Sequence, residues 1–343
     1  MLDAARDAGL HLAYGCRTGT CGVCRARLLS GSIDYDAYAP PGTVPLGLTA
    51  EELASGHVLL CQARARSDLE LEVREVEGVA GLVIKTLPAR IERIERLAHD
   101  VMGLWLKLPK VERLQFLAGQ YIDILLSDGR RRSFSLANAP WSAPRSAPGD
   151  ADQLELHVRL VPGGSFTTEV FERLAPKALL RVQGPLGSFF LRDDSTRPIL
   201  MLAGGTGFAP LKGMLEHQFA AAAVTQSRRA IHLYWGVRAE RDLYLKALPE
   251  RWAHDHPHFR YTPVLSEPAA GWRGRSGFVH DALLADLAGF AASAPPWGAA
   301  LADFDVYMAG PPPMCRAARA AFAAAGLPDA QLYYDSFEFN SKT

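Results

Sequence analysis

The spacing of four cysteines constrains this chain more than any other feature of its sequence. Cys16, Cys21 and Cys24 lie in the segment YGCRTGTCGVC, and Cys61 follows in LLCQAR. A C-x4-C-x2-C run with a distant fourth cysteine is a spacing in which thiolates hold a 2Fe–2S cluster, with two thiolates for each iron. The sequence therefore predicts a tight loop that supplies three metal ligands and a separate segment that supplies the fourth.

Glycines interleave with the first three cysteines. Gly15, Gly19 and Gly22 can adopt positive φ and allow the backbone close to a cluster. Their amides can donate hydrogen bonds to the sulfurs and stabilise the reduced cluster. A zinc site and a redox disulfide are the alternatives, because Cys21 and Cys24 also form a CxxC pair. Zinc ribbons use two such pairs, and a second pair is absent from the sequence, so the pattern favours the iron–sulfur cluster.

The bulk composition limits the possible partners. A chain of 343 residues predicts about two or three domains. The 37 basic and 37 acidic residues cancel, which favours neither a nucleic-acid nor a membrane partner. No stretch approaches the roughly 20 apolar residues of a membrane helix, and the N-terminus lacks the pattern of a secretion signal. Cysteines committed to a cluster indicate a reducing compartment. We expect a monomeric cytoplasmic protein.

Residues 12–24 and 60–62 resemble the ferredoxin module of flavin-dependent iron–sulfur reductases. That family includes the reductase components of benzoate, phenol and methane oxygenases and the reductase of CDP-6-deoxyhexose synthesis (CDP-6-deoxy-delta-3,4-glucoseen reductase), and the similarity extends over nearly the whole chain. The resemblance implies a multidomain α+β and α/β protein: a β-grasp ferredoxin module over residues 1–80, an antiparallel β-barrel flavin domain over 86–192, and a doubly wound parallel-sheet NAD(P)-binding domain over 193–343.

The periodicity of the sequence agrees with this division. Residues 86–192 contain short strand-like segments separated by Gly and Pro turns, a pattern typical of an antiparallel barrel. Residues 193–343 alternate apolar strands with Ala-rich helices, which predicts a mostly parallel sheet with helices on both faces.

One part of the resembled ferredoxin module is missing from the sequence. In the family a β-hairpin precedes the first helix, whereas here residues 2–8 already have a helical pattern. We expect either that the gene continues upstream in frame or that the module is incomplete and unstable, and we favour the first. The missing strands would expose apolar side chains of the module. The expected exposed residues are Leu10, Leu12, Leu28, Leu69 and Leu71.

The flavin domain carries two family signatures. Arg132, Phe134 and Ser135 match R-x-Y/F-S, which implies a guanidinium on the flavin pyrophosphate, a ring along the isoalloxazine and a hydroxyl near N5 with a catalytic role. Gly164 and Thr167 match the second signature, G-x-x-S/T, at the start of a helix whose amides can bind phosphate. The resemblance favours FAD over FMN, because relatives with an N-terminal cluster usually carry FAD.

The third module carries two glycine-containing loops. The segment AGGTGFAP follows an apolar strand and matches the family's G-G-T-G-x-A-P loop, so Gly204, Gly205, Thr206 and Gly207 are expected to bind the dinucleotide, with a helix starting at Leu211. A second segment, GPPPM, matches G-P-P-x-M beside the nicotinamide and contributes Gly310, Pro311 and Met314. The family commonly has cysteine before that glycine, and this chain has Ala309. Cys315 is expected to be a small buried apolar residue.

Two further positions concern the choice between NADH and NADPH and the chemistry at the flavin. Arg238 follows the second strand of the nucleotide domain near the expected adenosine ribose. An arginine there suits a 2′-phosphate, yet NADH-using relatives also carry it, and we favour NADH over NADPH. The tail YYDSFEF resembles family tails that bring an aromatic residue and an acid to the flavin, so Phe337 is a second catalytic candidate. Packing in the core is an equal alternative for these aromatics.

The order of the motifs predicts the electron path. A nicotinamide gives up two electrons as hydride, a 2Fe–2S cluster accepts one, and a flavin can join them. Electrons should pass from NAD(P)H through FAD and the cluster to an external acceptor, which is an oxygenase, a deoxysugar dehydrase or a small electron carrier. One alternative is a free flavin or dye reductase with a non-functional cluster module. Another is a non-catalytic binding subunit, which the intact cofactor loops disfavour.

Overall fold

A computed structural model describes residues 1–35, 43–140, 150–151, 153–225, 229–289, 297 and 300–338 of the chain. Most of the predicted loop over 139–149 and the last residue of the YYDSFEF tail lie outside the described residues. All five cysteines lie within them, and all five are free thiols. In the described segments no helix is long and apolar enough to cross a bilayer.

In the described residues, the N-terminal module has a three-stranded sheet, a separate two-stranded sheet and two short helices. Its elements are α1 (Leu2–Asp7), β1 (Arg25–Ser30), β2 (Ile33–Asp34), α2 (Ala50–Ala54), β3 (His57–Leu59), β4 (Arg64–Ala65) and β5 (Glu70–Glu72). β1 pairs antiparallel with β3 on one side and with β5 on the other. Thr49 and Glu52 form a capping box at the start of α2, which satisfies two amides at that terminus. The long segment between α1 and β1 is left free to form the cysteine loop.

The expected exposure of the module's leucines is only partly correct. Leu10 is 48% exposed, as predicted. Leu12, Leu28, Leu69 and Leu71 are half-buried instead. Leu12, Leu28 and Leu71 pack against a small apolar core built on Leu59 and Leu60. Within the described residues, this core covers side chains that sequence reasoning assigned to an open surface.

The described part of the middle module is an antiparallel barrel with one helix. Its elements are β6 (Lys85–Ala98), β7 (Val101–Lys107), β8 (Leu114–Gln115), β9 (Tyr121–Leu125), β10 (Arg131–Ser135), β11 (Asp150–Ala151), β12 (Gln153–Arg159), α3 (Ser165–Glu172) and β13 (Leu179–Leu186). The main sheet has the order β10-β9-β13-β6-β7-β12 in the described residues. A bridge between Leu136 and Leu156 joins its two edge strands, so the sheet closes on itself around an apolar core.

The C-terminal module is a parallel sheet covered on both faces. Its elements are β14 (Ile199–Gly204), α4 (Phe208–Thr225), β15 (Ile231–Val237), α5 (Ala247–Asp255), β16 (Phe259–Leu265), β17 (Arg275–Ser276), α6 (Val279–Gly289), β18 (Asp305–Gly310), α7 (Pro312–Ala324) and β19 (Leu332–Ser336). The strand order is β17-β16-β15-β14-β18-β19, with parallel pairing throughout the described sheet.

Side chains of β14 alternate between two buried cores. Met201 and Ala203 pack into one core, and Leu200 and Leu202 into the other. A strand that is buried on both faces has apolar side chains at every position, which is why the sequence of β14, ILMLAG, contains no polar residue. Cys315 is buried in the second of these cores, as predicted.

The helix after β14 begins earlier than predicted. α4 starts at Phe208 rather than at Leu211, and it includes Pro210 in its first turn. Proline is tolerated there because the first amides of a helix have no acceptor within it. The helix therefore begins directly after the glycine loop, which occupies a short 3-10 turn over Gly205–Gly207.

Candidate functional site

The cysteine loop folds around its own sulfurs. The amides of Thr18 and Cys21 donate hydrogen bonds to Sγ of Cys16 at 3.3 and 3.4 Å, and the amide of Cys16 donates to Sγ of Cys21 at 3.4 Å. Gly19 and Gly22 have φ of +79° and +81°, as the predicted turn requires. A Cβ at Gly15 would lie 3.3 Å from Sγ of Cys21, so a side chain there would crowd the sulfur.

The four thiols interact as two pairs, Cys16 with Cys21 and Cys24 with Cys61. The hydrogen bond from the Cys21 thiol lowers the pKa of Cys16 to about 4, and the same interaction raises the pKa of Cys21. In the described residues, no group of three or more His, Cys, Asp or Glu side chains is arranged to hold one metal ion. Two pairs of thiols suit two irons, because each iron of a 2Fe–2S cluster takes two thiolates. The donor set and its loop fit such a cluster.

Two tyrosines from the other modules hold the cysteine loop in place. The hydroxyl of Tyr121, on β9 of the barrel, donates to the carbonyl of Gly15 at 2.9 Å. The hydroxyl of Tyr334, on β19 of the nucleotide domain, donates to the carbonyl of Cys21 at 3.0 Å. Both tyrosines are buried. The loop therefore lies where all three modules meet.

The predicted flavin strand reaches the same junction. Ser135 is the last residue of β10, is buried, and donates to the carboxylate of Asp335 at 2.9 Å. Burial raises the pKa of Asp335 to about 6, although the Ser135 hydrogen bond opposes the shift. Phe134 and Arg132 are half-buried, and the Phe134 ring lies 5.6 Å from the ring of Phe166. The strand thus presents a ring, a guanidinium and a hydroxyl paired with an acid.

The second flavin signature begins α3. Gly164 is the N-cap residue and Thr167 lies in the first turn. The Thr167 hydroxyl accepts a hydrogen bond from the amide of Val161 at 3.2 Å and lies 3.2 Å from the carbonyl of Gly164. This hydroxyl fixes the loop before the helix, so the first amides of α3 are the groups that can bind phosphate.

The two nucleotide loops pack against each other at the end of the sheet. A Cβ at Gly204 would lie 2.6 Å from Sδ of Met314 and 2.7 Å from Cδ of Pro311, and a Cβ at Gly310 would lie 2.9 Å from Gly204. A Cβ at Gly207 would overlap the carbonyl of Ala309. Glycine is required at these positions because the backbones touch. Gly205 and Thr206 are the half-buried part of the turn, at the positive end of α4.

Phe337 and Arg238, the remaining two predicted site residues, lie in different surroundings. Phe337 is half-buried after β19, and its amide donates to the carbonyl of Gly310 at 2.9 Å, so it lies beside the second nucleotide loop. Arg238 lies beyond β15 with a 59% exposed side chain, and its Nε is 3.8 Å from the carboxylate of Asp242. That carboxylate offsets the charge of Arg238, which reduces its attraction for a 2′-phosphate.

Comparison with known proteins identifies the modules. Residues 1–66 match the family model of the 2Fe-2S iron-sulfur cluster binding domain, residues 88–191 that of the oxidoreductase FAD-binding domain, and residues 201–320 that of the oxidoreductase NAD-binding domain. The chain is 40% identical over 337 residues to CDP-6-deoxy-L-threo-D-glycero-4-hexulose-3-dehydrase reductase of Yersinia pestis, with 98% of this chain and 92% of the relative covered. The chain belongs to the iron–sulfur flavoprotein reductases.

Other iron–sulfur flavoprotein reductases align over the same length. Reductase component 1 of the terephthalate 1,2-dioxygenase of a Comamonas species is 34% identical, with 98% of this chain and 91% of the relative covered. The crystal structure of the Amycolatopsis cytochrome P450 reductase GcoB superposes with a TM-score of 0.73 at 33% identity, covering 98% and 93% of the two chains. The predicted family, fold class and cofactors are confirmed, and the protein is an electron-transfer oxidoreductase that uses NAD(P)H, FAD and a 2Fe–2S cluster.

Sequence reasoning did not single out Tyr121, and it placed Tyr334 and Asp335 in the C-terminal tail without giving either residue a role. Their partners lie 106, 313 and 200 residues away in the chain. No local spacing could have indicated such contacts. The only available signal was the resemblance of the C-terminal tail, which suggested an acid near the flavin without naming its partner.

Proposed function

We propose that this protein is the reductase component that delivers electrons to a CDP-6-deoxyhexulose dehydrase. The contact of the cysteine loop with both other modules, through Tyr121 and Tyr334, carries the electron-delivery role, because a cluster bound by the loop would lie near the end of the flavin strand. The relative from Yersinia pestis supports this acceptor at 40% identity. An oxygenase component is the second candidate, supported by the terephthalate dioxygenase reductase at 34%.

Each cofactor is assigned to named residues. Cys16 and Cys21 would ligate one iron, and Cys24 and Cys61 the other. Arg132, Phe134, Ser135 and the α3 terminus at Gly164 and Thr167 would hold FAD. The two nucleotide loops, from Gly204 to Gly207 and at Gly310, Pro311 and Met314, would hold the dinucleotide. When bound, the flavin takes hydride from the nicotinamide and releases single electrons to the cluster.

The chain's own residues orient these groups. Phe337 lies beside the second nucleotide loop, where its ring can shield the reacting face from water. Ser135 donates its hydroxyl proton to Asp335, so its oxygen could accept a hydrogen bond from N5–H of a bound, reduced flavin. We further propose NADH as the donor, a monomeric reductase and a reducing compartment that keeps the four thiols available.

Spectroscopy on variants tests the cluster ligands. Cys61→Ser should lose the 2Fe–2S signal in electron paramagnetic resonance and half or more of the bound iron, because each iron needs two thiolates. Cys315→Ser is the matched control, since Cys315 is the fifth cysteine and lies in the apolar core of the nucleotide domain. A full cluster signal in Cys61→Ser would overturn the ligand assignment.

Reconstitution tests the acceptor. The purified reductase with NADH should support turnover by the CDP-6-deoxyhexulose dehydrase of Yersinia pestis and should not support the terephthalate dioxygenase of Comamonas. The opposite preference would establish the second candidate. Activity with free flavin or dye alone, and no cluster signal in the wild-type protein, would instead support the alternative in which the cluster module is non-functional.

A further inference from the structure

A chain of buried polar side chains crosses the boundary between the flavin barrel and the nucleotide domain. Glu155 and His157, both on β12, lie 2.9 Å apart, and Nδ1 of His157 lies 2.9 Å from the hydroxyl of Tyr244 in the nucleotide domain. Glu155 can only accept, so Nε2 of His157 carries the proton and Nδ1 accepts from Tyr244. Burial lowers the pKa of His157, which keeps the ring neutral in this arrangement.

The nucleotide-domain end of this chain is an aromatic cluster under the glycine loop. The ring of Tyr244 packs edge-on against Trp235 at 5.2 Å and against Phe208 at 6.2 Å. Phe208 and Trp235 are stacked at 4.1 Å, and Nε1 of Trp235 donates to the carbonyl of Gly205 at 2.9 Å. The indole is fully buried. The position of Tyr244 therefore sets the position of the turn expected to bind the dinucleotide.

The barrel end of the chain is fixed close to the flavin strand. Nζ of Lys212, on α4, lies 2.9 Å from Glu155, 2.7 Å from Glu216 and 3.0 Å from the carbonyl of Ala137. Ala137 lies two residues beyond Ser135 on the same segment. One network thus contacts the segment that follows the flavin strand and, through Tyr244 and Trp235, the nucleotide loop.

We propose that Tyr244 is a positioning residue for hydride transfer. Its hydrogen bond to His157 locks the aromatic cluster, and with it the Gly205 turn, to the flavin barrel. Hydride passes only between atoms in contact, so a small shift between the two modules slows the reaction. The inference rests on the proposed placement of the dinucleotide at the Gly204–Gly207 turn.

Tyr244→Phe removes the hydroxyl and keeps the ring that packs on Phe208 and Trp235. Reduction of the bound flavin by NADH is followed at 450 nm in the complete holoenzyme by stopped flow. The limiting rate should fall about five- to tenfold, as expected for loss of one buried hydrogen bond, while the dissociation constant for NADH changes little. Tyr307→Phe is the matched control, because Tyr307 is a tyrosine of the same apolar core whose buried hydroxyl accepts from the amide of Arg192 rather than from the network.

A second variant tests the route through the indole. Trp235→Phe removes the hydrogen bond to Gly205 and keeps an aromatic ring in the stack. If Tyr244 acts through Trp235, the double variant should be no slower than the slower single variant. If the rate reductions of the two single variants multiply in the double variant, Tyr244 does not act through Trp235. Equal limiting rates in Tyr244→Phe and Tyr307→Phe would overturn the positioning role, whereas failure of NADH to reduce the wild-type flavin would contradict the proposed nucleotide site itself.

Discussion

The flavin barrel contacts its two neighbouring modules in different ways. Toward the nucleotide domain it presents Glu155 and His157, which form a buried network with Lys212 of that domain, whose side chain is 8% exposed. Toward the cluster module it uses hydrogen bonds to backbone groups, such as Tyr121 to Gly15 and the mutual bonds of Tyr14 and Ser188. Buried charges tolerate little displacement, since separation leaves them unpaired. Hydrogen bonds to backbone groups at a partly exposed junction can be replaced by hydrogen bonds to water.

This difference matches the chemistry at each junction. Hydride transfer requires contact between donor and acceptor atoms, so the nucleotide and flavin sites need a fixed relation. A single electron crosses to the cluster without forming a bond, so the second junction can be looser. We therefore expect substitutions at the barrel–nucleotide junction to have larger effects than substitutions at the barrel–cluster junction.

The largest expected effect concerns Lys212. Lys212→Met should destabilise the protein by about 3–5 kcal/mol, because Glu155 and Glu216 would remain in a buried site without their cation. Ser188→Ala at the barrel–cluster junction is the counterpart. The Ser188 hydroxyl accepts from the amide of Tyr14 and donates to its carbonyl, and the loss of this hydroxyl should cost about 1 kcal/mol. Urea denaturation followed by flavin fluorescence compares the two. Equal losses would contradict the proposed difference between the junctions.

A smaller effect is expected at the flavin itself, which both junctions share. Arg132→Ala should weaken FAD binding by about 1.5–3 kcal/mol, or about ten- to a hundredfold, because the proposed charge-assisted hydrogen bond to the pyrophosphate would be lost. Arg131→Ala is the control, since Arg131 is exposed and is occupied by Gln183 and Asp123. Titration of the apoprotein with FAD measures both. Unchanged affinity in Arg132→Ala would rule out its assigned role.

The smallest effect is a pH dependence at the junction of the three modules. Burial raises the pKa of Asp335 to about 6 from its ordinary value of about 3.8. Its stabilising contribution is therefore complete below about pH 4 and is lost as pH rises through about 6. Relative to Asp335→Asn, the wild-type protein should lose about 1.5 kcal/mol of unfolding free energy between pH 5 and pH 7.5. A difference independent of pH would show that Asp335 is not held protonated.

Sequence reasoning predicted candidate site residues where they depend on local spacing. The cysteine loop, the strand ending at Ser135 and the two glycine loops each carry their chemistry within about ten residues, so their motifs are readable from the chain. The junctions were not predictable. Tyr244 and His157 are 87 residues apart, and Tyr334 and Cys21 are 313 apart, so only the folded chain brings them together. The start of α4 also differed from the prediction. The helix begins at Phe208 rather than at Leu211, because Pro210 is compatible with a first helical turn.

The central claim is a linear electron path from the nicotinamide through the flavin to the cluster. Stopped-flow absorbance on Cys61→Ser tests it most directly, with flavin reduction followed at 450 nm and reduction of cytochrome c followed in parallel. We predict that NADH reduces the flavin of Cys61→Ser at the wild-type rate, while cytochrome c reduction falls to background. Cytochrome c reduction at the wild-type rate in a cluster-free variant would contradict the path.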